Sequence, residues 1–104
     1  MLIPRRDLDF QLYEILDCAA LTGHARHAAH DRETFDGVLD AAFRIAAERF
    51  APFAAACDRE EPRIEGGRAW TIPETRAALA AYNEASFTAA TFDVEDGGLQ
   101  LPFA

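Results

Sequence analysis

The fold is decided by residues 31–59, DRETFDGVLDAAFRIAAERFAPFAAACDR, because this stretch predicts one helix from about Arg32 to Arg59. Asp31 is a good N-cap, since its carboxylate can accept hydrogen bonds from the free backbone N–H groups of the first turn. Glu33 then places a negative charge where the helix dipole favours it. The apolar positions recur at helical spacing: Phe35, Val38, Leu39, Ala42, Ile45, Ala46, Phe50 and Phe53.

Pro52 lies inside this pattern and removes one backbone hydrogen bond, at a cost of about 3 kcal/mol. Because apolar positions resume after it, we expect a kink or a 3₁₀ turn there and not the end of the helix. A helix of about 25 residues is about 38 Å long. A compact domain of this chain length has a diameter of roughly 34 Å. Either the fold is elongated, or the helix packs on protein outside this chain.

Two weaker helices flank the long one. The first is predicted from about Asp7, its expected N-cap, to Ala20, with an apolar stripe of Leu8, Leu12, Ile15 and Ala19. The other begins at Pro73, which fits the first helical position, and ends at about Glu84 or Ser86.

The remaining segments predict no strand. Residues 22–30 fit either a loop or a short helix, and residues 60–71 predict a loop because proline and paired glycines interrupt them. No segment alternates apolar and polar residues over any length. The sequence thus predicts an all-α fold, a small up-down bundle of about three main helices, in a single domain over residues 1–104.

The composition excludes several classes of partner. The net charge is −8, with 10 basic residues that are all arginine, so binding to nucleic acid or to an anionic membrane surface is disfavoured. No apolar run approaches the roughly 20 residues that span a bilayer. Two cysteines, Cys18 and Cys57, are too few for a disulfide framework, so we interpret both as reduced and structural. Together these features predict a cytoplasmic protein.

Three histidines, His24, His27 and His30, recur every third residue, and neutral imidazoles bind zinc well. On a helix the outer two would lie about 120° apart around the axis, so the three cannot converge on one ion. We therefore predict a solvated linker and no metal site. No motif of an activated nucleophile is present, and we predict no catalytic residue.

Several loose motifs occur in a fixed order along the chain. They are Asp31-x-Glu33-Thr34, Ala51-Pro52, Asp58-x-Glu60, the helix start at Pro73, the aromatic Phe87, and Glu95-x-Gly97-Gly98-x-x-Leu101-Pro102. In this order the chain resembles the N-terminal helical domain of the acyl-CoA dehydrogenase family. It looks most like the bacterial branch whose members begin with an extra N-terminal helix.

This resemblance implies an oxidoreductase function. Family members are FAD flavoproteins that introduce a double bond between Cα and Cβ of acyl-CoA thioesters, as in fatty-acid β-oxidation. They pass electrons to an electron-transfer flavoprotein and form homo-oligomers of three-domain subunits. The family holds FAD mainly in its other two domains, and its usual catalytic glutamate lies in the C-terminal one. We therefore expect this chain to be the N-terminal part of a longer enzyme, inactive alone and without a flavin of its own.

The resemblance also assigns a candidate site. The family's Gly-Gly loop supplies part of one wall of the acyl-chain pocket, and Gly97, Gly98, Leu99 and Leu101 match that loop by position. Gln100 is a departure, because the family often has glycine there.

A second hypothesis is a free-standing interaction module that pairs with itself or with a dehydrogenase subunit. Its basis is the long helix together with a surplus of aromatic residues, which we expect to face a partner in part. These aromatics are Phe43, Phe50, Phe53, Trp70 and Phe87.

Overall fold

A computed structural model describes residues 3–104, and 65% of these residues are helical. The α-helices are α1 (Arg5–Asp9), α2 (Arg32–Ile45), α3 (Ala54–Arg59) and α4 (Pro73–Glu84), and a hairpin of β1 (Arg63–Glu65) and β2 (Arg68–Trp70) precedes α4. Wider π-helical turns continue two helices, over Phe10–Ile15 and Ala46–Phe50. Short 3₁₀ turns cover Cys18–Gly23, Ala25–His27, Ala51–Phe53, Phe87–Ala89 and Val94–Asp96. The predicted predominance of helix is confirmed.

The start of α2 is as predicted. The Asp31 carboxylate accepts hydrogen bonds from the backbone N–H and from the hydroxyl of Thr34, both at 2.8 Å. These two bonds stabilise the charged carboxylate, so they hold the pKa of Asp31 below its ordinary value. Phe35, one turn into the helix, is buried.

The predicted irregularity at Pro52 is confirmed as the 3₁₀ turn Ala51–Phe53. The π-helical turn before it, Ala46–Phe50, was not predicted. Pro52 has no N–H to donate to the carbonyl of Glu48, so the regular hydrogen-bond pattern is interrupted at this point. A wide turn and a tight turn follow each other here, and the helix resumes as α3.

The first helix differs from its prediction at both ends. It begins at Arg5, because the carbonyl of Pro4 already accepts hydrogen bonds from the N–H groups of Asp7 and Leu8. Asp7 therefore lies in the first turn and is not the N-cap. The helical segment ends at Ile15, since Asp17 adopts a left-handed backbone with φ 47°. The chain then continues in the 3₁₀ turns Cys18–Gly23 and Ala25–His27. Of the two predictions for residues 22–30, a loop or a short helix, short helical turns are therefore the better description.

The prediction of a loop without strands over residues 60–71 was wrong. Strands β1 and β2 pair antiparallel, with Arg63 opposite Trp70. Gly66 and Gly67 form the turn with φ values of 56° and 76°, the sign that tight hairpin turns need at both central positions. Strands of three residues are too short for an alternating pattern to be recognised, and only the paired glycines signal the hairpin.

The helices enclose little common core. The buried apolar residues among those described are Cys18, Phe35, Ile72 and Ala78. The molecule measures 51 × 33 × 17 Å, with a radius of gyration of 16.7 Å, whereas a compact domain of this length has about 13 Å. The fold is therefore elongated, the first of the two alternatives that the helix length left open. Within residues 3–104, no helix combines the length and hydropathy needed to cross a bilayer.

Candidate functional site

The terminal loop, residues 93–102, contains the glycine pair of the candidate site. It begins with the 3₁₀ turn Val94–Asp96, and Gly97 follows with φ 82°, in the left-handed region that glycine adopts without strain. The N–H of Gly98 then donates to the carbonyl of Asp93 at 2.9 Å, which closes the turn.

Gly98 lies directly against the chain segment that precedes the loop. A Cβ atom at this position would come within 2.1 Å of the carbonyl oxygen of Phe92 and 2.7 Å of that of Ala89. No side chain fits there without movement of the backbone. Backbone hydrogen bonds from Gln100 to Phe92 (3.0 Å) and from Leu101 to Ala90 (2.9 Å) hold the two segments together.

Gln100 is the most highly connected residue of the terminal loop. Its backbone has φ 53°, a left-handed conformation that is uncommon for a residue with a side chain. The amide Nε2 donates to the carbonyl of Arg26 at 2.5 Å, and Oε1 accepts from the N–H of Val94 at 3.3 Å. The side chain thus links Val94, at the start of the loop, to Arg26 in the histidine segment, residues 24–30.

The histidine segment packs on the terminal loop and is not the solvated linker that we predicted. The carbonyl oxygen of Gln100 accepts from His27 Nδ1 at 3.0 Å and from His30 Nε2 at 3.2 Å. Arg26 forms an ion pair with Asp93 and donates to the carbonyl of Thr91 at 3.1 Å. His24 is exposed. Within residues 3–104, no three His, Cys, Asp or Glu side chains are grouped to hold a metal ion.

An apolar cavity of about 180 Å³, the Cys18 cavity, lies between the first two helices and the last residues of the chain. Both cysteines are free, and Cys18 is buried at this cavity whereas Cys57 is exposed on α3. The lining residues are Leu12, Tyr13, Cys18, Phe35, Val38, Leu39, Leu101, Pro102 and Ala104. The terminal loop therefore supplies one side of this cavity.

Tyr13, which lines the Cys18 cavity, is held in place by polar contacts. The Tyr13 hydroxyl donates to Asp36 at 2.9 Å, and Arg5 bonds the same carboxylate at 3.0 Å. Burial and the hydrogen bond to Asp36 raise the pKa of Tyr13 to about 12, so the phenol stays neutral at physiological pH. The guanidinium of Arg32 lies 4.1 Å from the centre of the Tyr13 ring. These contacts join α1 to α2.

The four residues of the predicted site occupy different surroundings. Gly97 is exposed, whereas Gly98, Leu99 and Leu101 are half-buried, and of the four only Leu101 lines the Cys18 cavity. Leu101 and Pro102 give the end of the loop an apolar side toward the Cys18 cavity, which is suited to contact with hydrocarbon, whereas the exposed start of the loop carries Asp93, Glu95 and Asp96.

Sequence reasoning did not find the roles of Arg26, Asp93 and Gln100. The contacts that join Arg26 to Asp93 and to Gln100 span 67 and 74 positions of the chain, a separation at which sequence spacing carries no signal. Of these three residues, the sequence drew attention only to Gln100, because the family that the chain resembles often has glycine at this position.

No family model, curated protein or solved structure matches the chain.

Proposed function

We propose that this chain is the N-terminal helical domain of an FAD-dependent acyl-CoA dehydrogenase, which desaturates acyl-CoA thioesters between Cα and Cβ. In this role the domain contributes one wall of the acyl pocket, through Gly97, Gly98, Leu99 and Leu101, and contacts between subunits. The FAD and the catalytic base belong to other parts of the enzyme, so this segment alone performs no reaction. The complete protein is a cytoplasmic homo-oligomer that passes electrons to an electron-transfer flavoprotein.

The backbone of Gln100 carries the proposal. Gln100 stands where the family often has glycine, and its φ of 53° lies in the left-handed region that glycine adopts without steric cost. A glycine would therefore follow the same path through the terminal loop. The departure in sequence is thus compatible with the loop geometry, because side-chain hydrogen bonds of Gln100 offset the strain of its backbone.

The large exposed surface supports a domain that packs against other protein. The chain exposes 7615 Å². A folded monomer of this mass exposes about 5800 Å². Large apolar side chains contribute to the excess, among them Ile15 and Leu16 at the end of the first helix and Leu79 on α4. In a multidomain enzyme, exposed apolar faces of this kind on one domain are buried by contact with the neighbouring domains.

Purification of the native polypeptide from its source with an antibody raised against this chain tests the proposal. We expect a polypeptide several times larger than 11.5 kDa that carries a flavin. Addition of an acyl-CoA should bleach the flavin absorbance, because hydride transfer reduces the cofactor. A native polypeptide of 11.5 kDa without flavin would contradict the proposal.

The thin core favours a second candidate function, a helical module that associates with itself or with a dehydrogenase subunit. No large side chain among those described is fully buried, and a domain of this size has a small stability margin. Analytical ultracentrifugation of the chain at several concentrations tests this candidate. Association that increases with concentration supports it, whereas a monomer that binds no hydrophobic dye opposes it.

A further inference from the structure

A second concave surface, the Trp70 groove, lies beside the hairpin on one face of α4. It is open to solvent and has a volume of about 550 Å³, within the range of 300–1,000 Å³ that is typical of small-molecule sites. Its lining residues are Trp70, Thr71, Pro73, Arg76, Ala77 and Ala80. It shares no residue with the terminal loop or with the Cys18 cavity, so it is a separate candidate site.

The indole of Trp70 is held by the hairpin in a defined position. Arg63 lies directly opposite Trp70 in the strand register, and its guanidinium is 3.6 Å from the centre of the ring. Trp70 lines the groove and Arg63 does not. A large aromatic surface fixed in this way is suited to stacking with another flat ring.

Arg76 gives the groove its charge. It is the one charged residue among the six that line the groove. Within residues 3–104, no carboxylate lies within 4.0 Å of its guanidinium, which is also true of five other arginines, whereas Arg5, Arg26, Arg32 and Arg63 each form an ion pair. A guanidinium without a protein partner can bind a phosphate through two parallel hydrogen bonds. Thr71 adds a hydroxyl that can donate or accept.

The small side chains of α4 leave room between these two groups. Pro73, Ala77 and Ala80 follow each other at spacings of four and three residues, so they lie on one face of the helix beside Arg76. A ligand that stacks on Trp70 can therefore extend along α4 to the guanidinium. The volume exceeds what a single ring requires, since a cavity of about 150 Å³ already holds benzene.

We infer that the Trp70 groove binds an aromatic anion of the nucleotide class, with the base stacked on Trp70 and the phosphate paired with Arg76. Arg76 is the one charged side chain of the groove, so an anion that stacks on Trp70 meets a local positive charge there although the chain as a whole carries a net charge of −8. The inference does not depend on the proposed function, because the groove and the terminal loop have no residue in common.

A fluorescence titration tests this inference directly, because Trp70 is the single tryptophan of the chain. We expect ADP to quench the Trp70 emission in a saturable way, since the base covers the indole. Adenosine, which has the base alone, and pyrophosphate, which has the anion alone, should each bind about tenfold or more weakly than ADP, because each makes half of the contacts. Absence of saturable quenching by ADP, or equal binding of either component, would overturn the inference.

Two variants locate the site. Arg76→Gln should weaken ADP binding about tenfold, the effect of losing one charge-assisted interaction. Arg44→Gln is the matched control, because Arg44 is an exposed arginine on α2 that lies outside the groove, and we expect its affinity to stay within about twofold of wild type. Circular dichroism checks that both variants fold. Equal affinities of the two variants would overturn the assignment to this groove.

Discussion

The helix α2 and the terminal loop are held in place by different physical means. Helix α2 begins at a local cap, Asp31 with Thr34 three residues later, and it buries Phe35 on its apolar face. The terminal loop is held by backbone hydrogen bonds to residues 89–93 and by hydrogen bonds between Gln100 and residues about 70 positions earlier in the chain. The comparison shows that the helix is specified by its own sequence, whereas the loop depends in addition on contacts with the histidine segment.

The largest expected effect is on α2. Phe35→Ala removes the largest buried side chain of α2 and should lower the free energy of unfolding by about 3 kcal/mol. Phe50→Ala is the matched control, because Phe50 is 43% exposed whereas Phe35 is 9% exposed, and it should cost about 1 kcal/mol or less. Urea unfolding followed by circular dichroism measures both. Equal losses would show that α2 is not anchored by Phe35.

In the terminal loop, Gly98→Ala should be the most damaging change. The new Cβ would approach the Phe92 carbonyl to 2.1 Å, so the backbone must move, at a cost of about 2 to 3 kcal/mol. Gly37→Ala in α2 meets no atom within 4 Å and should stabilise the chain by about 0.5 to 1 kcal/mol. Thermal unfolding of the two variants should therefore shift in opposite directions. A stabilising Gly98→Ala would contradict the close packing of the loop.

Two substitutions of Gln100 distinguish the contribution of its side-chain hydrogen bonds from the cost of its strained backbone. Gln100→Ala loses both side-chain hydrogen bonds and keeps the left-handed strain, so it should cost about 2 kcal/mol. Gln100→Gly loses the same bonds but removes the strain, so it should be about 1 kcal/mol more stable than the alanine variant. Chemical denaturation of the pair measures the difference. An alanine variant as stable as the glycine variant would show that the left-handed backbone carries no strain.

The smallest expected effect concerns the cap of α2 and its dependence on pH. The pKa of Asp31 is lowered in the folded state, so its stabilising contribution is present above about pH 4 and is lost as the pH falls through the lowered pKa. Asp31→Asn keeps a capping side chain but does not titrate. The melting temperatures of wild type and variant should therefore converge as the pH falls below about 4. A constant difference over this range would show that the Asp31 charge does not contribute.

The comparison also explains what the sequence could predict. The cap at Asp31, the 3₁₀ turn at Pro52 and the start of α4 at Pro73 depend on residues close together in the chain, and all three predictions were correct. The hairpin of β1 and β2 was missed because its strands are only three residues long. At the candidate site, the need for glycine at positions 97 and 98 is local. The hydrogen bonds from His27 and His30 to the carbonyl of Gln100 span 73 and 70 positions of the chain. Nothing near these histidines in the sequence indicates Gln100 as their partner.

Photolabelling of the native polypeptide with an acyl-CoA that carries a diazirine on its acyl chain tests the central claim most directly. The label is mapped by mass spectrometry of the peptides. If the terminal loop forms a wall of the acyl pocket, the label should appear on Leu99 or Leu101, and excess unlabelled acyl-CoA should remove it. The account is contradicted if the acyl-CoA bleaches a bound flavin, and so occupies the pocket, while no residue between 93 and 102 carries the label.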